Sequence, residues 1–137
     1  MDRGSARETF RQSVVALQHE AESDFIRGHV DQRLGLWSHD HPVSVFAALG
    51  PSRSGWDELE PMFRNVADRL SDGGDVDFDL TTYDVAGDMA WTAGFLRFTV
   101  SLDGAAPRAM VLRITHVYRR ENGEWKIAHE HSNWEEP

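Results

Sequence analysis

The chain has 137 residues, enough for one domain with a sizeable core, and its 40% apolar content and five tryptophans fit a folded protein rather than a disordered one. A formal net charge of −9 speaks against nucleic acid and against anionic membrane surfaces as partners. There is no cysteine, which excludes disulfides and thiolate chemistry.

No apolar run approaches the ~18–20 residues that span a bilayer. The opening "MDRGSARETFRQS" has no apolar core of the kind a secretory signal carries, so a cytoplasmic protein is expected. Residues 1–137 show no repeat, low-complexity tract or linker, and are expected to form one domain.

Ser5 and Glu8 have capping-box spacing and predict a helix from about residue 6. Phe10, Val14, Leu17, Ala21 and Phe25 continue it as one apolar stripe, and Gly28 stops it. A short second helix over roughly Asp31 to Trp37 carries Leu34 and Trp37 inward. "SHDHP" reads as a turn, with Asp40 capping local backbone and His39 and His41 exposed; "VSVFAAL" reads as a short strand. Trp56, Leu59, Phe63, Val66 and Leu70 mark a third helix, in which Pro61 conflicts with the pattern at a cost of about 3 kcal/mol. "SDGGD" is expected to close the helical half. Four strand-like segments follow, Val76 to Val85, Met89 to Leu102, Arg108 to Arg120 and Trp125 to Asn133, separated by "AGD", "DGAAP" and "ENG". Helices first and a meander after them predict an α+β cone: N-terminal helices packed on a strongly curved antiparallel sheet, with a pocket between.

The stretches "LWSHDHPVSVFAALG…SGWDEL" and "VYRRENGEWKIAHEHS", in this element order, resemble the nuclear transport factor 2-like superfamily, with its SnoaL-like and ketosteroid-isomerase-like branches, over about residues 8 to 133. The final hairpin also resembles the association domain of calcium/calmodulin-dependent kinases. The resemblance implies the cone fold, and a homodimer through the sheet. It leaves function open, because the superfamily holds isomerases, cyclases, dehydratases and association domains. Ketosteroid isomerases place a proton-abstracting aspartate where this chain has Phe46, Ala47, Ala48 and Leu49, so that mechanism is not implied. The kinase association domain lines its pocket with arginines. Arg97 matches one such position, and His116 and Ser132 fall at the other two.

"HEH" at 129–131 is the most chemical-looking tripeptide. On a strand His129 and His131 share a face and Glu130 takes the other. A metal site would need His116 beside the pair, and that depends on the turn. A two-residue turn at Asn122-Gly123 sets His116 opposite His129. A three-residue loop with Gly123 as a bulge turns His116 toward Ala128, Glu130 and Ser132. The two registers stand as open alternatives. Neither a bound metal nor a cofactor is expected. Asp75, Asp77 and Asp79 lack the glycine and terminal glutamate of a calcium loop and read as a solvated strand face.

The candidate acid–base pair is His116 with Glu130, because an imidazole titrates near neutrality. The candidate pocket residues are Arg97, Trp37, Asp40, Trp56, Phe63, Trp91, Tyr118, His129, His131 and Ser132. Arg97 lies in an otherwise apolar strand and is expected to anchor an acidic ligand group or pair with a carboxylate such as Asp40 or Glu130. The expected function is that of a pocket protein for a small organic ligand. Its chemistry would be a cofactor-independent isomerisation, cyclisation or dehydration, with a non-catalytic dimerisation or association module as the alternative.

Overall fold

The computed structural model describes residues 2–135; Met1, Glu136 and Pro137 of the expected 1–137 domain lie outside the described residues. Three helices come first: α1 (Arg3–Phe25), α2 (Asp31–Leu36) and α3 (Trp56–Ala67). Two short strands, β1 (Ser44–Phe46) and β2 (Arg53–Ser54), sit between α2 and α3. Four long strands follow, β3 (Leu70–Ala86), β4 (Met89–Leu102), β5 (Arg108–Glu121) and β6 (Glu124–Trp134). They form one open, curved sheet in the order β2-β1-β6-β5-β4-β3. The predicted α+β architecture is therefore what the chain adopts. One part of the expectation changes: the meander is antiparallel, but β1 joins β6 in parallel, Ser44 to His129 and Phe46 to His131. No helix among the described residues is long and apolar enough to cross a membrane.

Helix α1 starts earlier than its capping-box spacing suggests. Asp2 is the N-cap, and its carboxylate accepts the Ser5 backbone N–H at 2.7 Å. Phe10, Val14, Ala21 and Phe25 are buried as expected, but Leu17 is 50% exposed, and Gln18 and Glu22 take the inward positions instead. The Phe10 ring meets Tyr118 and Trp125 edge-on at 5.2 and 5.1 Å, which seats the helix on β5 and β6. Helix α3 runs through Pro61 without a break and buries Leu59, Met62, Phe63 and Val66.

"SDGGD" is not the break it resembles. It lies inside β3, and the pairing with β4 shifts register between Ser71 and Gly74 and again before Asp77. Asp72 and Asp75 take positive φ, 53° and 56°, the conformation that short polar residues tolerate at an irregular strand position. A third shift falls between Leu80 and Thr82, opposite Gly94, where a Cβ would stand 2.1 Å from the Asp79 carbonyl oxygen. These irregularities let the sheet wrap around the helices.

The β5–β6 hairpin resolves the open register. Glu121 pairs with Glu124 across a two-residue turn, with φ of 51° at Asn122 and 79° at Gly123, a two-residue turn of the primed kind. Farther on, the register shifts between Val117 and Tyr118. Tyr118 pairs with Ile127 while Val117 pairs with His129, so Ala128 is the extra residue of a bulge. Beyond it His116 stands opposite Glu130. The turn is thus the first alternative and the facing of His116 is the second, by way of a bulge neither register contained. The glutamates that oppose each other at the turn find other partners: Glu121 accepts from Ser38 Oγ at 2.6 Å and Arg119 Nε at 3.3 Å, and Glu124 pairs with Lys126 at 3.4 Å.

Candidate functional site

Inside the cone, the walls are apolar and the floor is ionic. Phe25 of α1, Met62, Phe63 and Val66 of α3, and Leu96, Phe98 and Val100 of β4 surround a cavity of about 60 Å³. Val45, Ala47 and Leu49 close the side nearest β1, so the stretch that carries an aspartate in ketosteroid isomerases is apolar wall here. Glu22, Arg33, Glu130 and Ser132 are the polar lining.

Each polar group is placed by a different element. Glu22 lies on the inward stripe of α1 and Arg33 on the buried side of α2. Glu130 and Ser132 face inward because the Ala128 bulge has reset β6. Arg33 Nη2 donates to both Glu22 oxygens, at 2.7 and 2.8 Å, and Nη1 reaches Glu130 Oε1 at 3.5 Å. Its guanidinium also lies over the Phe25 ring at 3.9 Å. Glu130 Oε1 is 3.0 Å from His116 Nε2, and Ser132 Oγ donates to Oε2 at 3.3 Å. The Ala48 N–H donates to Ser132 Oγ at 3.1 Å and fixes that hydroxyl. On the other side Gln18 Nε2 donates to Glu22 Oε1 at 2.9 Å, and the Tyr118 hydroxyl donates to Gln18 Oε1 at 3.2 Å. The network leaves β5 at Tyr118 and returns to β5 at His116, tying α1, α2, β5 and β6 together.

Burial decides the electrostatics. Burial alone would push the Glu130 carboxyl up; the hydrogen bond from His116, the charges of Arg33 and His116, and the Ser132 hydroxyl outweigh it and hold the group at about 2. Burial likewise opposes the Arg33 charge, and Glu22 and Glu130 more than restore it. Burial pushes the Tyr118 phenol well up, so it stays a neutral donor. The cavity therefore carries a fixed carboxylate at Glu130, clamped beside a fixed guanidinium. Among the described residues, Arg33 Nε, Trp37 Nε1 and His116 Nδ1 are buried polar atoms without a hydrogen-bond partner.

The structure gathers some of the sequence-derived candidates and disperses others. Glu130, Ser132 and Phe63 line the cavity. His116 is fully buried behind Glu130, and Tyr118 and Trp37 are buried beside the network and against Phe63. Trp56 stacks on His39 at 3.8 Å, at the rim of α3 rather than inside. Arg97 corrects an expectation: strand alternation turns it to the outer face, where it pairs with Asp79 at 3.2 Å and Asp77 at 3.6 Å rather than with a ligand, Asp40 or Glu130. Asp40 is exposed in the loop after α2; its backbone N–H donates to Ser38 Oγ and its carbonyl accepts from Arg119 Nη2 at 2.7 Å. Arg119, which also donates to the Pro42 carbonyl at 2.7 Å, thereby clamps that loop.

His129, His131 and Trp91 are also on the outer face. His129 Nδ1 meets Ser44 Oγ at 2.8 Å, and both imidazoles stand edge-on to Phe46. Partial burial lowers the His129 imidazole below its ordinary range. With His116 inside and the other two outside, the three histidines do not converge. Among the described residues no group of three or more His, Cys, Asp or Glu side chains is arranged to hold a metal ion.

Sequence reasoning missed Gln18, Glu22 and Arg33. A signal was present: 10, 14, 18, 21, 22 and 25 follow helical spacing better than a stripe through Leu17. Two polar residues on that stripe, four apart, mark a helix face that meets a polar partner.

A helical layer on a curved open sheet, with a polar floor under an apolar cone, defines the nuclear transport factor 2-like class of fold. Within it the chain belongs to the SnoaL-like domain family, whose model matches residues 14–133. Among solved structures it is similar to a suggested dehydratase of the NTF2-like family from Streptomyces avermitilis, at 20% identity and a TM-score of 0.70, covering 96% of this chain and 99% of that one. A ketosteroid isomerase-like protein from Erwinia carotovora atroseptica gives 15% identity and 0.73, over 92% and 96%. The CaMKII hub of S. rosetta gives 17% and 0.67, over 90% and 95%. At these identities the likeness is one of fold. No curated protein matches the chain by sequence.

Proposed function

We propose that this chain is a one-domain, cytoplasmic pocket protein of the SnoaL-like kind, which binds a small, largely apolar organic molecule inside the cone. The observation that carries this is the pairing of an apolar cavity with an ionised, hydrogen-bonded floor at Glu22, Arg33, Glu130 and Ser132. A purely structural core has little use for two buried carboxylates and a guanidinium, since such groups cost several kcal/mol each to desolvate. Pockets built of apolar walls with a few convergent polar groups are the usual form of a small-molecule site.

Chemistry at this site would be cofactor-independent isomerisation, cyclisation or dehydration. Of the His116–Glu130 pair, Glu130 is the member that lines the cavity, as acid–base group or as a fixed charge opposite a developing cation. His116 acts through it, as a positioning residue on Oε1. A thermal-shift screen of compact apolar alcohols, ketones and acids tests the binding. Stabilisation by a subset is the expected result; no stabilisation by any of them would sink it.

The association-module reading rests on a separate observation. The outer sheet face exposes Trp91 at 41%, Phe46 at 46% and Met89 at 46%, beside Val117 and the two outward histidines. Apolar side chains grouped on one face favour a homodimer through the sheet. Pocket and dimer use opposite faces and are compatible.

A further inference from the structure

Arg33 already engages both terminal nitrogens, Nη2 with Glu22 and Nη1 with Glu130. Its Nε–H is buried and has no acceptor. On the other side of the ledger two carboxylates face one guanidinium. Glu130 Oε2 accepts a bond of 3.3 Å from Ser132, and a carboxylate oxygen has room for two. The floor thus holds a spare donor and spare acceptor capacity within one polar cluster.

Headgroup chemistries differ in how they meet this. A carboxylate offers only acceptors and brings a further negative charge to two that are already buried. An ammonium offers only donors, leaves the Arg33 N–H bare and must be stripped of water as an ion. A hydroxyl both accepts and donates, and carries no charge into the cavity. Resting on the pocket reading above, we infer that the site takes an uncharged alcohol or phenol. Its hydroxyl lies on the Arg33–Glu130 floor and its apolar body lies against Phe63, Leu96 and Val100. A cavity of about 60 Å³ accommodates the head and the first carbons, with room on the scale of a few waters. Met62 and Met110, both in the lining, are unbranched side chains that can shift to admit more. This reverses the preference for an acidic ligand that Arg97 suggested, because Arg97 is outside.

Four probes sharing one ring separate the possibilities: cyclopentanol, cyclopentylamine, cyclopentanecarboxylate and methylcyclopentane. Each is titrated by NMR into the whole chain near neutral pH. Cyclopentanol is expected to bind at least tenfold more tightly than the amine and the carboxylate, and more tightly than the hydrocarbon. In Glu130→Gln the advantage over the hydrocarbon should shrink at least threefold; the wild-type ranking stands alone if that variant does not fold. Equal or tighter binding of the carboxylate, the amine or the hydrocarbon overturns the hydroxyl preference and leaves the pocket reading in place. Absence of binding by all four overturns both.

Discussion

Glu130 shows how one side chain is made costly and then made useful. Buried to 5% exposure, it is held ionised by His116, Arg33 and Ser132. Its folded pKa, about 2, lies below the ordinary 4.5, so its contribution to stability is complete above about pH 4.5 and is lost as pH falls toward 2. Acid unfolding followed by circular dichroism should therefore steepen in that window, and Glu130→Gln should flatten it. An identical acid limb in the variant would show that Glu130 is not held down. Arg33 is the opposite case: it neutralises part of two buried carboxylates. Arg33→Met strands both, and should cost about 3–5 kcal/mol in denaturant unfolding at neutral pH. A loss under about 1 kcal/mol, the level of an exposed pair, would contradict a buried network. At this scale the sequence was partly legible. The His116–Glu130 pair and Ser132 could be read as candidates, because one of the two open hairpin registers turns His116 toward Glu130 and Ser132. Arg97 misled because a charge between aromatic residues looks buried, whereas in alternation it shares the outer face with Phe95 and lies over its ring at 5.1 Å. Glu22 and Arg33 come from two helices, and nothing local in either helix announces the other.

The β5–β6 hairpin makes the same point for an element. Asn122-Gly123 was readable as a two-residue turn, since both residues take positive φ without penalty. The bulge at Ala128 was not, because Lys126-Ile127-Ala128-His129 carries no glycine or proline to mark it. Yet the bulge decides the site: it brings Ile127 and Ala128 inward in succession and sends Glu130 and Ser132 after them. Inserting one alanine between Ala128 and His129 should turn over the strand beyond it. His129 and His131 would then face the core and Glu130 the solvent, stranding Arg33 and His116. The expected outcome is loss of the cooperative thermal transition in the insertion variant. A transition at the wild-type temperature would mean that the strand absorbs the added residue within the bulge. "SDGGD" failed in the reverse direction, as turn-like residues that prove to be the irregular positions of a long strand.

For the whole molecule, the cone was legible because it follows from order: an amphipathic helical half, then a meander whose apolar face needs cover. The parallel addition of β1 to β6 was not, since three residues have no pattern strong enough to choose an edge. The outer face that results carries Trp91, Phe46 and Met89. Trp91→Glu should convert a dimer to a monomer in sedimentation equilibrium without lowering thermal stability of the fold itself; a wild-type monomer at the same concentration would remove the dimer reading. The inner face bears on the central claim, that the cone receives a small apolar molecule. The methionines report on it directly. Met62 and Met110 line the cavity, while Met89 lies on the outer face. A methyl-carbon NMR titration of methionine-labelled protein with cyclopentanol should move the Met62 and Met110 signals in a saturable way and leave Met89 in place. Saturable movement of Met89 alone, or of none of the three, would contradict a ligand site inside the cone.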